Sequence, residues 1–382
     1  MNKQELYDEG KKLTAIDLFI TEECNMKCSY CFHKQSRNKL DLEQGKKVLN
    51  RLKEMSPDKM NITYFGGEPL MYPEVVLELS KHARTLWPKS NLHITTNGKY
   101  FDENMFREYR KLGIEMQVSF DGDKETQDEC RGFFDIISEN IKKILEIYPE
   151  LVVRMTFTPD TVKNLAKNVV FIHGLGVTNI MHHATMESNW DVTSLEEYSY
   201  QLKNLYNYRR FCRRRGIPLF VHFIDRTLRT INDETPTELE FCMAGKSYMA
   251  IMPDGDVYPC HRAASNRIFK LGNIFNEKRP FVRGVFRGLD KESTRCSREC
   301  EAWRTCHSCP ITHFLVNKDL NKPLLDTGYC NICKIENSMA TQYLPIEIAD
   351  QQGKLLGDLA IVVADIADTV LKQKAEKEDA KK

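Results

Sequence analysis

Cys24, Cys28 and Cys31 stand in the run Thr21-Glu-Glu-Cys-Asn-Met-Lys-Cys-Ser-Tyr-Cys-Phe-His33, a Cys-x3-Cys-x2-Cys triplet after a short apolar stretch from Ile16 to Ile20. A [4Fe-4S] cluster is held by four sulfur ligands, so three thiolates leave one iron open to another ligand. Zinc also accepts Cys-x2-Cys turns. Zinc knuckles, however, come as paired units, and no second pair lies near Cys28 and Cys31. The second half of the chain carries eight more cysteines: Cys242, Cys260, Cys296, Cys300, Cys306, Cys309, Cys330 and Cys333. Two complete four-thiolate sites would use all eight. Alternatively, Cys306-x2-Cys309 and Cys330-x2-Cys333, with twenty residues between them, have the spacing of a zinc knuckle, and the other four would then hold at most one cluster.

At 382 residues the chain is long enough for two domains and a sizeable core. Its 55 basic and 54 acidic side chains nearly cancel, which advertises neither a nucleic-acid nor a membrane partner. There is no charged-then-apolar leader and no apolar run of membrane-spanning length. A cytoplasmic location is therefore expected. Thirteen cysteines would be unusual as disulfides there, because the cytosol keeps thiols reduced. Metal ligation is the better use for most of them.

These thiols need a scaffold. Short stretches rich in branched and aromatic residues at 14–20, 61–65, 91–95, 115–120, 151–157 and 177–183 predict strands. Between them, residues 42–55, 74–86, 104–112, 136–147, 161–173 and 195–214 have helical spacing. Six strand–helix units predict an α/β fold of parallel strands with right-handed crossovers, in a barrel or part of one. Chemistry in such barrels sits at the C-terminal strand ends. The second strand ends in Gly66-Gly67-Glu68-Pro69, where two glycines let a ligand approach the backbone and a carboxylate can accept hydrogen bonds from an ammonium group. The third and fourth strands end in Thr95-Thr96-Asn97-Gly98 and Ser119-Phe120-Asp121-Gly122. Arg154 is a charge inside an otherwise apolar strand, needing a partner if it faces inward and solvated if it faces out.

The triplet and the strand-end motifs resemble those of the radical S-adenosylmethionine (SAM) enzymes. The resemblance covers about residues 13–335 and implies a partial (β/α)6 TIM-like barrel in which SAM chelates the open iron. It places Tyr30 against the adenine and Gly66, Gly67, Glu68 and Pro69 at the methionine amino group. Thr96, Asn97, Ser119 and Asp121 fall where short polar side chains reach the ribose and methionine carboxylate, and Asp121 could equally just shape its turn. Arg154 takes the role of a carboxylate-binding arginine. The loop from Asp121 to Gly132 is similar to one that peptide-modifying members place above the substrate. Asp128 and Arg131 match it, whereas Gln127 replaces a common histidine. Cys130 in that loop is either a reactive thiol or a buried, inert one, and Cys212 reads as core.

Cys242, then Gly255-Asp-Val-Tyr-Pro-Cys260, resembles the opening of the SPASM domain, a small irregular cysteine-rich extension with two auxiliary [4Fe-4S] clusters. Three clusters in all are implied, together with SAM. The block Cys296-x3-Cys300-x5-Cys306-x2-Cys309 has its outer spacings exchanged relative to that family. The family scheme gives Cys242, Cys260 and Cys309 to an inner cluster and Cys296, Cys300, Cys306 and Cys330 to an outer one. Cys333 could complete the inner set, or that iron could be open to substrate. The domains expected are a barrel at 13–225, a bridge at 226–240, the SPASM domain at 241–340, and a C-terminal helix and charged tail at 341–382, with the helix at 355–371.

The segment around Cys260-His261-Arg262 looks like that of radical SAM peptide maturases, including those that build thioether links in ribosomally made peptides. Sulfatase-maturing enzymes, which make formylglycine, place an aspartate base where His261 stands. A neutral imidazole can take the same proton. His261 is thus a catalytic candidate, and a hydrogen-bonded tether for the cluster loop is the other reading. The expected partners are a precursor peptide and an electron donor such as flavodoxin or ferredoxin. The first strand is expected by residue 14, too early for a leader-gripping module before it, which suggests either a separate leader-binding protein or direct recognition by the barrel mouth. A non-catalytic zinc scaffold would give the strand-end motifs no role.

Overall fold

The computed structural model describes residues 13–56, 58–233, 243–264, 266–276, 299–307, 309–317 and 328–351. Cys242, Cys296 and the expected helix at 355–371 lie outside them. Seven strands, β1 (Ala15–Thr21), β2 (Asn61–Gly66), β3 (Leu92–Thr96), β4 (Ile114–Ser119), β5 (Val152–Phe157), β6 (Asn179–Ala184) and β7 (Phe220–Val221), lie side by side in chain order, each parallel to the next. The sheet curves without closing, as a partial barrel. Alternation along each strand splits it into two faces. Ile16, Leu18 and Ile20 of β1, and Val153, Met155 and Phe157 of β5, join the main core with the helices. The opposite face carries Asp17, Ser119, Arg154, Thr156 and His183 together with Phe19, so the inside of the barrel holds polar and charged groups beside an apolar patch on β1.

Four helices begin at an aspartate that caps them. Asp41, Asp102, Asp123 and Asp191 each accept a backbone N–H from the first turn, at 2.8–3.0 Å. Four of the six expected helices lie within two residues of their expected bounds. The segment at 161–173 divides into a 3-10 turn, Val162–Asn164, and a helix, Leu165–Gly174. The helix Val192–Arg214 begins earlier than its spacing suggested, at its Asp191 cap.

The sheet has a second part that the repeating pattern did not disclose. β8 (Tyr248–Ile251) pairs in parallel with β1, Ala15 opposite Tyr248 and Leu18 opposite Ile251. β9 (Asp256–Tyr258) and β10 (Gly272–Asn273) then add antiparallel strands at that edge, giving ten in all. Gly255 sits in the β8–β9 turn at φ +85°, and a Cβ there would meet the Phe275 ring at 2.5 Å. The second core, around Phe19, Ala250, Tyr258, Cys260 and Phe269, fills the space between this hairpin and the inside of β1.

A long helix, Gly328–Gln351, returns to the barrel and lies along the helices Val192–Arg214 and His222–Asn232. Glu347, 3% exposed, pairs with Arg209 at 2.9 Å and with Arg213, and Asp350 pairs with Arg210 at 2.5 Å. Among the described residues no helix is long and apolar enough to cross a membrane.

Candidate active site

The cysteine loop leaves the C-terminal end of β1 and is pressed against the end of β2. Gly67 N–H donates to the Thr21 carbonyl and Glu68 N–H to that of Glu23, both at 2.8 Å. A Cβ on Gly66 would stand 2.2 Å from the Thr21 oxygen, and one on Gly67 2.0 Å from the Glu23 oxygen. The close approach that the paired glycines permit is thus that of the cysteine-bearing backbone. Glu68 is 1% exposed. Its carboxylate accepts from Thr96 Oγ1 at 2.7 Å, Asn97 N–H at 2.6 Å and Leu70 N–H at 2.9 Å, tying the ends of β2 and β3 together. Burial pushes its pKa up to about 7, against the pull of those three donors. Pro69 begins the 3-10 turn that Glu68 caps. Asn97 Nδ2 in turn donates to Asn25 Oδ1 at 2.8 Å and approaches Cys24 Sγ at 3.8 Å.

Across the loop, Asp121 is fully buried and accepts from Tyr30 Oη, Arg131 Nε at 2.9 Å and Thr156 N–H at 2.8 Å. The Arg131 guanidinium lies over the Tyr30 ring, 5.1 Å from its centroid, and its Nη1 reaches Cys28 Sγ at 4.0 Å. Gln127 is buried: its Oε1 accepts the Asp121 N–H at 2.8 Å and its Nε2 donates to the Gly132 carbonyl at 2.9 Å. It braces the loop from within. Cys130 is 4% exposed, and burial pushes its thiol up to about 12, so it is a poor nucleophile. Ser119 and Arg154 are register partners on β4 and β5. Arg154 faces inward. Burial, together with the charges of Arg262 and Arg131, pulls its pKa below the ordinary value, so an anion placed there would relieve it.

A third group joins the two parts of the sheet. His261 Nδ1 is 2.7 Å from Asp17 Oδ2 and 2.9 Å from Tyr248 Oη, and Tyr248 Oη donates to Asp17 Oδ2. Asp17 is 4% exposed. The imidazole lies against Phe65 at the end of β2, ring centroids 5.0 Å apart, and 6.0 Å from Phe32, the residue after Cys31. Further along the same segment, Arg262 pairs with Glu187 and covers the Phe32 ring at 4.7 Å. Of the later cysteines, Cys260, Cys330 and Cys333 are buried and Cys300, Cys306 and Cys309 partly so. Cys306 is in hydrogen-bond contact with Cys333.

Comparison with known proteins gives this arrangement a family. Residues 18–171 match the model of the radical SAM superfamily, and residues 242–310 match that of SPASM, an iron–sulfur cluster-binding domain. The chain is a radical SAM protein with a SPASM domain. It is 22% identical over 313 residues to the cysteine-type anaerobic sulfatase-maturating enzyme of Clostridium perfringens strain 13, covering 72% of this chain and 83% of that one. Four other curated relatives, 26% to 29% identical, match over no more than 38% of this chain and 37% of their own length. Among solved structures, anSMEcpe with bound AdoMet superposes with a TM-score of 0.72 at 20% identity, covering 88% of this chain and 99% of that one. Streptococcus suis SuiB bound to its precursor peptide SuiA gives 0.59 at 16%, covering 82% and 75%.

The two domains imply iron–sulfur clusters and SAM binding, and the residues present fit both. Of the three thiols on one short loop, Cys24 faces the Asn97 amide and Cys28 the Arg131 guanidinium, donors that favour thiolates, and Cys31 is exposed beside them. Burial holds Cys24 up at about 11, so a metal must displace its proton on binding. Among the residues that sequence reasoning passed over, Asp17 carried a readable signal. It is a charge inside an apolar strand, the same feature that marked Arg154. Tyr248 carried none, because its role depends on β8 pairing with β1.

Proposed function

We propose that this radical SAM protein oxidatively modifies a ribosomally made peptide, joining a cysteine sulfur to carbon in a thioether. The observation that carries the reading is the Asp17–Tyr248–His261 group, a hydrogen-bonded imidazole that the SPASM hairpin delivers beside the cysteine loop. A carboxylate at Nδ1 fixes the proton there and leaves Nε2 as the acceptor. When bound, the cluster and SAM supply a 5′-deoxyadenosyl radical that removes a hydrogen atom from carbon. In this reading His261 Nε2 takes the proton that must also leave the substrate, Asp17 and Tyr248 hold the ring, and Phe32 and Phe65 keep water from it. Tyr30, Gly66, Gly67, Glu68, Pro69, Thr96, Asn97, Ser119, Asp121 and Arg154 would hold SAM. Arg154 would meet its carboxylate, and Asp121 would act through Tyr30 and Arg131.

Support for a peptide substrate comes from structures with this fold: SuiB is bound to a precursor peptide, and anSMEcpe to AdoMet with the Cp18Cys peptide. Two auxiliary clusters would complete a set of three, with flavodoxin or ferredoxin as donor and a separate protein presenting the peptide leader. Formylglycine formation is the second reading, favoured by the length of the match to the sulfatase-maturating enzyme. Anaerobic co-expression with short cysteine-containing peptides encoded beside the gene separates the two. Thioether formation leaves the peptide about two hydrogens lighter with one fewer alkylatable thiol. Formylglycine leaves an aldehyde that reacts with hydrazide. A bound peptide of unchanged mass and thiol count would overturn both.

A further inference from the structure

Cys306 and His307 follow one another at the end of a turn, and the helix Gly328–Gln351 meets them with Cys333 and Glu336. These two lie three residues apart and so share a helix face. A His307 ring nitrogen, Cys333 Sγ and a Glu336 carboxylate oxygen all lie within 4.8 Å of one another. His307 Nδ1 is 3.5 Å from Glu336 Oε2, and the Cys333 thiol contacts Cys306. The set is well buried, with Cys333 2% and Glu336 8% exposed. Its orientation is fixed from the barrel side. Tyr198 Oη donates to Glu336 Oε1 at 2.7 Å, leaving Oε2 directed at the cluster of donors. The His307 ring is held by Phe223 at 4.8 Å, Tyr329 at 5.7 Å and His183 at 6.3 Å. Two sulfurs, an imidazole nitrogen and a carboxylate oxygen are donors that zinc and iron accept together, and an outer hydroxyl orienting the carboxylate is usual for a ligand.

We infer that Cys306, Cys333, His307 and Glu336 belong to one mixed-donor metal centre of the SPASM domain, with Cys333 the thiolate that joins Cys306. The family scheme set Cys306 with Cys296, Cys300 and Cys330, and offered Cys333 to the inner cluster instead. The centre rests on the SPASM domain and not on the peptide reading, so it stands or falls independently of the substrate. Zinc and an iron–sulfur cluster share this donor chemistry. An imidazole in place of a thiolate would raise a cluster's potential, as it does in Rieske centres.

The test uses the full chain purified anaerobically, with iron, acid-labile sulfide and zinc measured per chain. Cys306→Ala and Cys333→Ala should each lose the same quota, about four irons with sulfide for a cluster or about one zinc for a single ion. The double variant should lose no more than either. A SAM-dependent change in the electron paramagnetic resonance signal, retained from the Cys24 site, shows that a variant is folded. His307→Ala gives a second measurement that does not depend on the cysteine variants folding. For a cluster it should shift the signal of the reduced auxiliary centre; for zinc it should weaken retention against a chelator about tenfold or more. Full metal content in Cys333→Ala, losses that add in the double variant, or wild-type behaviour of His307→Ala would each overturn the assignment.

Discussion

At the residue scale, Asp17 is the side chain on which the proposed chemistry turns. Replacing it with asparagine keeps the shape but puts an amide where a carboxylate fixed the imidazole tautomer. Asp17→Asn should lower peptide modification by about 100-fold, the lower range of general-base effects, while leaving SAM cleavage near wild type. Parallel assays of 5′-deoxyadenosine and modified peptide check this; equal loss of both would instead indicate a damaged SAM site. His182 makes a second, purely structural prediction. It is 1% exposed, lies between Phe157 and Phe223, and neither ring nitrogen has a hydrogen-bond partner. Burial, with His222 nearby, lowers its pKa to about 4. The unfolded chain therefore binds a proton near pH 6.5 that the folded chain refuses, so stability is full above pH 6.5 and falls as the pH drops to about 4. The loss is of order 3 kcal/mol. Urea melts of His182→Phe should show a flatter pH dependence in that window. The cysteine triplet was legible because its spacing alone names its chemistry. Tyr30 and Asp121 each stood out in the sequence, but not as partners of one another, since 91 positions separate them.

At the scale of elements, the alternation of branched, aromatic stretches with helical spacing disclosed six barrel strands and their helices, since each strand needs one apolar face against a helix. The β1–β8 pairing was not disclosed, because β8 is four residues long and sits in a segment read for its cysteines. The role of Gly67 is an element-level result as well. Gly67→Ala would drive a Cβ into the Glu23 carbonyl, pushing the cysteine loop off β2. Iron at the Cys24 site should fall while far-UV circular dichroism stays unchanged. Iron retention equal to wild type would show that the loop does not depend on this contact. The helix Gly328–Gln351 depends on its buried ion pairs. Glu347→Ala removes the buried carboxylate that Arg209 and Arg213 share but leaves Arg209 paired with Asp225, and should cost about 1–3 kcal/mol in urea denaturation.

For the whole molecule, one continuous sheet carries the barrel and the SPASM hairpin, so groups from both domains hold fixed positions around the cysteine loop. That rigidity suits a reaction in which a radical must meet one hydrogen atom and a base must wait beside it. Near-neutral charge, with charged and polar groups at particular places inside the barrel, is consistent with a substrate held by specific contacts more than by a broad field. One anaerobic reaction of the metal-loaded protein with reductant, SAM and a cysteine peptide encoded beside the gene, following 5′-deoxyadenosine and the peptide's alkylatable thiols together, tests this chemistry. Thiols should disappear in step with 5′-deoxyadenosine, and both should stop in Cys28→Ala. Steady 5′-deoxyadenosine formation beside a bound peptide that keeps its mass and all its thiols would contradict it.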